Sequence, residues 1–302
     1  MTDWPTLADL LGHYLFPGVV TGCIYALGAI GLSLIYGVLR FGHFAHGDMM
    51  TFGAYVTLSC VWLTGWPPLV TLPVALIVTA LVALVIDRLF YRPFRNSPTI
   101  VVVIASFGVA LMLRSLVEIF WGANDQVYES GIRRPILLFD AVLVAPRHIA
   151  IVATAIALVV VLHLFLTRTR LGKAMRAVSD QPDLARVCGI DLDTVSLWTW
   201  IFGAGLAAAA GVFLAIDTQL NPNMGWNLLL PLFAAAILGG IGKPYGAIAG
   251  GLVIGLAEEL STYPLFGDLP LVRPDYKTGV AFAIMVVMLL WRPSGLFRGR
   301  VY

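Results

Sequence analysis

The residues whose types and spacing could perform chemistry begin with His43, His46 and Asp48, which follow the pattern His-x-x-His-x-Asp. Imidazole and carboxylate groups at short spacing are typical zinc ligands. Here no further carboxylate cluster accompanies them to complete a metal site, and no nucleophile with a partnered base stands beside them. We therefore predict a structural role, in which their hydrogen bonds fix a sharp turn or a broken helix. We assign the chain no metal and no catalytic residue.

Ionisable residues also occur inside long apolar segments, where each needs a partner or a function. Arg114 and Glu118 are four residues apart, a spacing that lets two side chains form an ion pair on one helix. The alternative is that they line a path for a polar solute. Glu258, near the end of another apolar segment, is a further candidate to face such a path.

Charge is concentrated in one short polar segment. Nine of the 36 formally charged residues (19 basic and 17 acidic) lie between Arg168 and Asp193, and long apolar runs flank the segment on both sides. A polar, helix-forming segment between apolar runs belongs in water, where another molecule can recognise it. Segment 168–196 is therefore the strongest indication of function in the composition.

Within this segment the residues predict a short capped helix. Asp180 suits the N-cap, Pro182 the first turn, and Gly189 the position just after the last turn. We predict a helix over Asp183–Cys188, preceded by residues Leu171–Val178 as a helical extension of the span before them. Three apolar residues at helical spacing would give it one stripe to bury against a partner: Leu184, Val187 and Cys188. The alternative is a solvated loop that touches only lipid headgroups.

The overall composition indicates an integral membrane protein. Mean hydropathy is +0.89 and 12% of the residues are charged, against roughly 25% in soluble domains. The apolar runs are long enough for helices that cross a bilayer, which takes about 20 residues, and they do not alternate as barrel strands do. The basic residues flank these runs and form no patch for nucleic acid. We predict a single polytopic, all-α domain over residues 1–302.

The apolar runs predict about eight transmembrane helices plus a broken or re-entrant helix pair. The broken region, 228–260, is too long for one crossing, and the run Gly239–Gly246 interrupts it. That run lacks the spacing of a phosphate-binding loop, so no nucleotide site is assigned. The predicted spans lie at about 15–39, 44–64, 69–90, 99–121, 148–167, 197–217 and 277–291.

Most lysines and arginines fall on the same side as segment 168–196 when the runs are threaded through a membrane. The positive-inside rule then places that segment and the C-terminus in the cytoplasm and the N-terminus outside. Residues 122–147 form the main external loop. The same threading puts His43, His46 and Asp48 at the cytoplasmic start of the second span.

Glycines at four-residue spacing predict close helix contacts, because small residues on one face let two backbones approach. Three pairs follow this pattern: Gly18 and Gly22, Gly246 and Gly250, and Gly251 and Gly255.

Three segments together carry a family resemblance. The first contains Phe44-Ala-His-Gly-Asp48, the second runs from Leu171 to Asp191, and the third joins Ala236–Gly242 with Arg292-Pro-Ser-Gly-Leu-Phe297. In combination they resemble the membrane permeases of branched-chain amino acid ABC importers, and most closely the shorter permease subunit. The resemblance covers about residues 15–300. One departure is His43, where the family usually has Asn.

The resemblance implies a bacterial-type cytoplasmic (inner) membrane protein and a set of partners. These are a second, homologous permease, two ATPase subunits that bind the ATP and Mg²⁺, a soluble external binding protein, and membrane lipid. The chain itself would hold no cofactor. Segment 168–196 then resembles the cytoplasmic coupling segment that contacts the ATPase. Its expected contact residues are Arg176, Asp183, Ala185, Arg186 and Gly189.

Members of this family also transport urea, short amides or other amino acids, and the sequence does not separate these cargoes. A self-sufficient secondary transporter is a further alternative. It would need a coupling-ion site, for which Asp48 and the pair Glu258 and Glu259 are the candidates.

Overall fold

The computed structural model describes residues 10–95, 97–128, 136–138, 142–264 and 270–297. Nearly all of them are helical, which confirms the predicted all-α class in its coarse form. The exception is a short antiparallel hairpin of β1 (Ile136–Leu138) and β2 (Val142–Val144), within the predicted external loop. Residues 129–135 and 139–141 of that loop, and the terminal residues 1–9 and 298–302, lie outside the described ranges.

The α-helices are numbered along the chain. They are α1 (Phe16–Leu39), α2 (His46–Thr64), α3 (Pro68–Ile86), α4 (Thr99–Trp121), α5 (Pro146–Arg168), α6 (Arg170–Asp180), α7 (Pro182–Val187), α8 (Leu192–Asp217), α9 (Met224–Gly239), α10 (Pro244–Ser261) and α11 (Lys277–Trp291). A π-helical turn, Leu11–Leu15, precedes α1, and Asp87–Tyr91 and Arg92–Phe94 continue α3 as a π-helical and a 3-10 turn.

Six helical segments of the described residues are long and apolar enough to cross a membrane. They contain α1, α3, α4, α5, α8 and α11. The remaining predicted crossings fall short for physical reasons. Helix α9 has only 16 residues, and α2 begins with polar residues in its first turn. The predicted count of about eight is therefore not confirmed by length and composition alone.

Helices α1 and α8 form the centre of the bundle and are the most buried of the long helices. Helix α10 packs along α1 at the predicted glycine positions. A Cβ on Gly255 would collide with the backbone of Gly22, and one on Gly251 with that of Ala26. The glycine spacing is thus used for helix packing inside the chain.

The predicted break in region 228–260 is present between α9 and α10. Gly240 (φ 105°) and Gly242 (φ 82°) adopt backbone angles that side chains rarely allow. The C-terminal tail returns to this point. The backbone N–H of Leu296 donates to the Leu238 carbonyl (2.8 Å) and that of Phe297 to the Gly239 carbonyl (3.2 Å). The tail therefore satisfies carbonyl groups that the end of α9 leaves without partners.

The chain breaks between α5 and α6, where a continuous helical extension was predicted. Thr169 leaves the helical conformation (φ −91°, ψ 154°), and its hydroxyl accepts a hydrogen bond from the Gly172 N–H at 2.9 Å. Threonine is a good N-cap because its side chain replaces a missing backbone acceptor. Segment 168–196 thus begins with a new helix.

Candidate functional site

The segment after α1 turns back into the bundle instead of leaving it. Arg40 ends α1 in the left-handed conformation (φ 60°), and the ring nitrogen Nε2 of His46 donates to the Gly28 carbonyl at 2.9 Å. Gly28 is near the middle of α1, roughly 16 Å from its last residue at about 1.5 Å per residue. Helix α2 therefore starts beside the middle of α1. His46 and Asp48 lie in its first turn and His43 just before it, at the start of the second helix as predicted.

The two histidines and Asp48 have three separate partners. His43 Nε2 lies 3.0 Å from the Tyr91 hydroxyl, and its ring meets Trp200 edge-on at 5.0 Å between centroids. His46 bonds to the backbone of α1, whereas Asp48 bonds to Arg114. No group of three or more metal-ligating side chains occurs within the described residues. Both histidines are buried, and their contacts hold the returning segment in place.

The first turn of helix α9 lies beside the first turn of α2, inside the bundle. A Cβ on either Gly47 or Gly225 would collide with the backbone of the other. The Gly225 N–H donates to the Thr51 hydroxyl at 3.0 Å. Two helix N-termini therefore meet inside the bundle. Asp48 lies in the first turn of α2, where a carboxylate interacts favourably with the helix dipole.

Arg114 pairs with Asp48. The sequence had suggested an ion pair between Arg114 and Glu118 on the same helix. Its Nε lies 3.0 Å from Asp48 Oδ1 and its Nη2 3.3 Å from Oδ2, and the Trp226 ring centroid is 5.0 Å from its Cζ. The Asp48 side chain is 1% exposed and that of Arg114 is 16% exposed. The tertiary fold supplies a carboxylate more buried than Glu118, which is exposed one turn further along α4.

A stripe of exposed and partly exposed side chains runs along α4 and continues onto α9; we call it the α4–α9 face. The rings of Phe44 and Phe107 stack at 4.2 Å between centroids, and Phe44 also contacts Phe233 at 5.2 Å. The face is apolar along most of its length and charged where α4 approaches its C-terminal end. Its residues are Phe44, Ile104, Phe107, Leu111, Arg114, Glu118, Trp226, Leu230 and Phe233.

Glu258 lies in the interface of α1 and α10. Its Oε2 accepts a hydrogen bond from the Tyr25 hydroxyl at 2.6 Å, and the side chain is fully buried. The neighbouring Glu259 pairs with Lys277 at 2.6 Å. The structure therefore brings Glu258 together with Tyr25 and not with the α4–α9 face.

The charged segment forms two helices, α6 and α7, joined at Gln181. Gln181 takes the N-cap position of α7 that was predicted for Asp180, whose carboxylate instead pairs with Lys243 at 3.2 Å. Ala185 is buried, whereas Arg176, Asp183 and Arg186 are exposed.

The predicted stripe of this segment is uncovered in the isolated chain. Leu184 and Cys188 are exposed, and Val187 is 85% exposed. Gly189 (φ 82°) ends the helix as predicted. Asp191 then caps α8, and hydrogen bonds from the Thr194 hydroxyl and the Asp193 N–H lower its pKa.

Arg95 ties the charged segment to the turn that precedes α4. Its guanidinium lies 2.8 Å from Asp193, 2.9 Å from Asp87 and 2.9 Å from the Ser196 hydroxyl. Arg186 lines a cavity of about 440 Å³ together with Arg95 and Asp193. Movement of the charged segment would therefore displace Arg95 and the turn that precedes α4.

Several of these residues escaped the sequence reasoning. In the sequence, Arg95 is one of several basic residues near the end of an apolar run, with nothing to set it apart. Its three partners are about 100 residues away or on a preceding turn. Trp226 lay just before the predicted broken region. The asparagines on either side of Pro222 were a usable signal, because the Asn221 side chain accepts from the Asn223 N–H at the start of α9.

Comparison with known proteins gives one consistent result. A family model described as "Branched-chain amino acid transport system / permease component" matches residues 14–289. The chain is similar to the high-affinity branched-chain amino acid transport system permease protein LivH of Salmonella typhimurium, with 32% identity over 299 residues, 93% of this chain and 94% of that protein. It is also similar to LivM, a permease protein of the high-affinity branched-chain amino acid transport system in the same organism, with 25% identity over 300 residues, 90% of this chain and 67% of LivM.

Among solved structures, the chain resembles one in PsaBC from Streptococcus pneumoniae in complex with Fab. The TM-score is 0.53 at 14% identity, and 95% of each chain is covered. This likeness concerns the fold alone.

Proposed function

The chain belongs to the family of permease components of branched-chain amino acid transport systems, and from this premise we propose that it is a transmembrane permease subunit of an ATP-binding-cassette importer. Its cargo would be branched-chain or related amino acids delivered by an external binding protein. The observation that carries the proposal is the family match over residues 14–289. The chain would perform no chemical step itself, and ATP and Mg²⁺ would bind to two separate ATPase subunits.

The α4–α9 face supports a role in the transport path. Arg114 and Glu118 are ionisable and at least partly exposed on it, and such groups inside a membrane face a water-filled cavity or another protein and not lipid. We infer that a second, related permease covers this face and that the path runs between the two. The similarity to both LivH and LivM of one organism supports such a pair.

We infer the same orientation as from the sequence, with the charged segment and the C-terminus in the cytoplasm and the N-terminus outside. The contacts of Arg95 with Asp193 and of Lys243 with Asp180 support one basic, cytoplasmic end of the bundle. A reporter active only outside the cytoplasm, fused after Tyr302, should stay silent, and the same reporter on a periplasmic control protein should be active. Activity of the fused reporter would refute the orientation.

We propose further that α6 and α7 contact the ATPase. The exposed side chains of Asp183 and Arg186 and the apolar Leu184 and Val187 offer a mixed surface suited to a groove on a partner. Buried Ala185 anchors the short helix to the rest of the chain. Gly189 permits the turn that leads into α8.

Two substitutions should uncouple ATP hydrolysis from transport. Arg186→Glu reverses an exposed charge on the proposed contact surface, and Gly189→Val places a side chain at φ 82°. We expect each to lower uptake about tenfold, the effect of losing roughly 1.4 kcal/mol of coupling, while ATP hydrolysis continues. Arg88→Glu is the matched control. It reverses the charge of an exposed residue in the π-helical turn Asp87–Tyr91. Wild-type coupling in both variants would refute the contact.

The function itself is tested by reconstituting the chain with a second permease, the ATPases and the binding protein in liposomes. Uptake of leucine, isoleucine or valine that requires ATP is the expected result. Uptake without the ATPases would identify a secondary transporter. Uptake of urea or a short amide, but of no amino acid, would place the chain among relatives with other cargoes.

A further inference from the structure

We propose that the charged end of the α4–α9 face binds the zwitterionic head group of an α-amino acid, with Arg114 taking its carboxylate and Glu118 its ammonium group. The inference rests on the proposed function. It adds the residues that touch the cargo and the chemical groups that they recognise.

Arg114 is held so that one side of its guanidinium is engaged and another is available. Its two hydrogen bonds to Asp48 use Nε and Nη2, and Nη1 bonds to no acceptor in the part of the chain that the structure describes. Trp226 lies against the same group at 5.0 Å. A guanidinium fixed in this way is preorganised for a carboxylate, which it recognises through charge-assisted hydrogen bonds.

The charges favour a zwitterion over a simple anion. Asp48 already neutralises Arg114, so an added carboxylate alone would leave one negative charge without compensation. Glu118 follows Arg114 by four residues and is exposed on the same face of α4. The Cβ atoms of helical residues at this spacing are about 5–6 Å apart. One amino acid can therefore contact both side chains, with its carboxylate on one and its ammonium group on the other. Urea carries neither charge, so it could form hydrogen bonds to this pair but would lack the ionic attraction that a zwitterion adds.

The surroundings of the charged end suit an apolar side chain. Phe107 contacts the Trp226 ring at 6.3 Å between centroids, and Leu111 is 61% exposed one turn before Arg114. Apart from Arg114 and Glu118, the residues of the α4–α9 face are apolar. An amino acid whose head group sits on Arg114 and Glu118 would therefore place its side chain on aromatic and aliphatic surface. The class of ligand is an α-amino acid with an apolar side chain.

The test uses the complete importer in liposomes and measures leucine uptake beside ATP hydrolysis stimulated by the binding protein. Glu118→Gln removes the charge and keeps the shape, and Glu118→Asp keeps the charge. We expect Glu118→Gln to lower leucine uptake about tenfold, equivalent to roughly 1.4 kcal/mol, with stimulated hydrolysis retained. Glu118→Asp should keep most of the uptake.

Two results would overturn the assignment. One is wild-type leucine uptake by Glu118→Gln. The other is loss of stimulated hydrolysis together with uptake in that variant, which would indicate a structural role for Glu118. A wild-type importer that moves no amino acid would instead refute the proposed function, so the two failures are distinguishable. Leucine binding by the isolated binding protein should be unchanged throughout.

Discussion

Asp48→Ala should destabilise the chain by about 3–5 kcal/mol, the usual result of removing one partner of a buried ion pair. Asp48 is 1% exposed and provides both hydrogen-bond acceptors of Arg114. Without it, the guanidinium would remain at depth without a counter-charge. We expect a large fall in the thermal unfolding temperature of the detergent-solubilised protein, with loss of uptake.

A second substitution separates stability from transport. Arg114→Met added to Asp48→Ala removes both charges and should restore most of the stability, because an apolar pair of similar volume often replaces an ion pair without loss. Uptake should stay low, since Arg114 is then absent from the α4–α9 face. Asp125→Ala is the control, because this carboxylate is exposed and bonds only to Gln219 and Asn221 in the described structure. An unfolding temperature that Arg114→Met fails to raise would contradict this account.

Gly255→Ala should destabilise the bundle by about 1–3 kcal/mol, the usual cost of overpacking, although alanine is the better helix former. The added methyl group would collide with the backbone of Gly22. Backbone atoms cannot rotate away as a flexible side chain can. Helices α1 and α10 would have to separate, and every contact along their interface would weaken. The measurement is the unfolding temperature and the yield of monodisperse protein.

Gly279→Ala is the matched control for this prediction. Gly279 is in α11, and no atom of the described structure lies within 4 Å of a Cβ placed there. The same substitution should therefore leave stability unchanged or raise it by up to about 1 kcal/mol through helix propensity. Equal unfolding temperatures for the two variants would show that the α1–α10 contact has room for a methyl group.

Features that depend on neighbouring residues could be predicted from the sequence. The glycine spacing of α1 and α10 indicated close packing because residues four apart share one helix face. The break after Gly239 was predictable because several glycines and a proline follow one another there. Gly189 ended α7 for the same local reason.

Features that depend on distant residues could not be predicted in this way. Glu118 was the natural partner for Arg114 on one helix, but Asp48 comes from a segment 66 residues earlier. Asp48 is buried inside the bundle because the chain turns back after Arg40, and a hydropathy profile does not reveal such a return. Thr169 reads equally well as a helix interior or as a cap, and only the packing of α6 decides between them.

The return of the tail to α9 has a consequence for biosynthesis. Leu296 and Phe297 donate to the last carbonyls of α9, yet they are translated after the two helices that follow it, α10 and α11. Until the tail has been translated, the end of α9 has no donors from it, even though the helix itself is complete. The end of α9 therefore receives these contacts only after α10 and α11 have been made. A premature stop codon just before Leu296 would thus leave α9 open although every membrane helix had been synthesised.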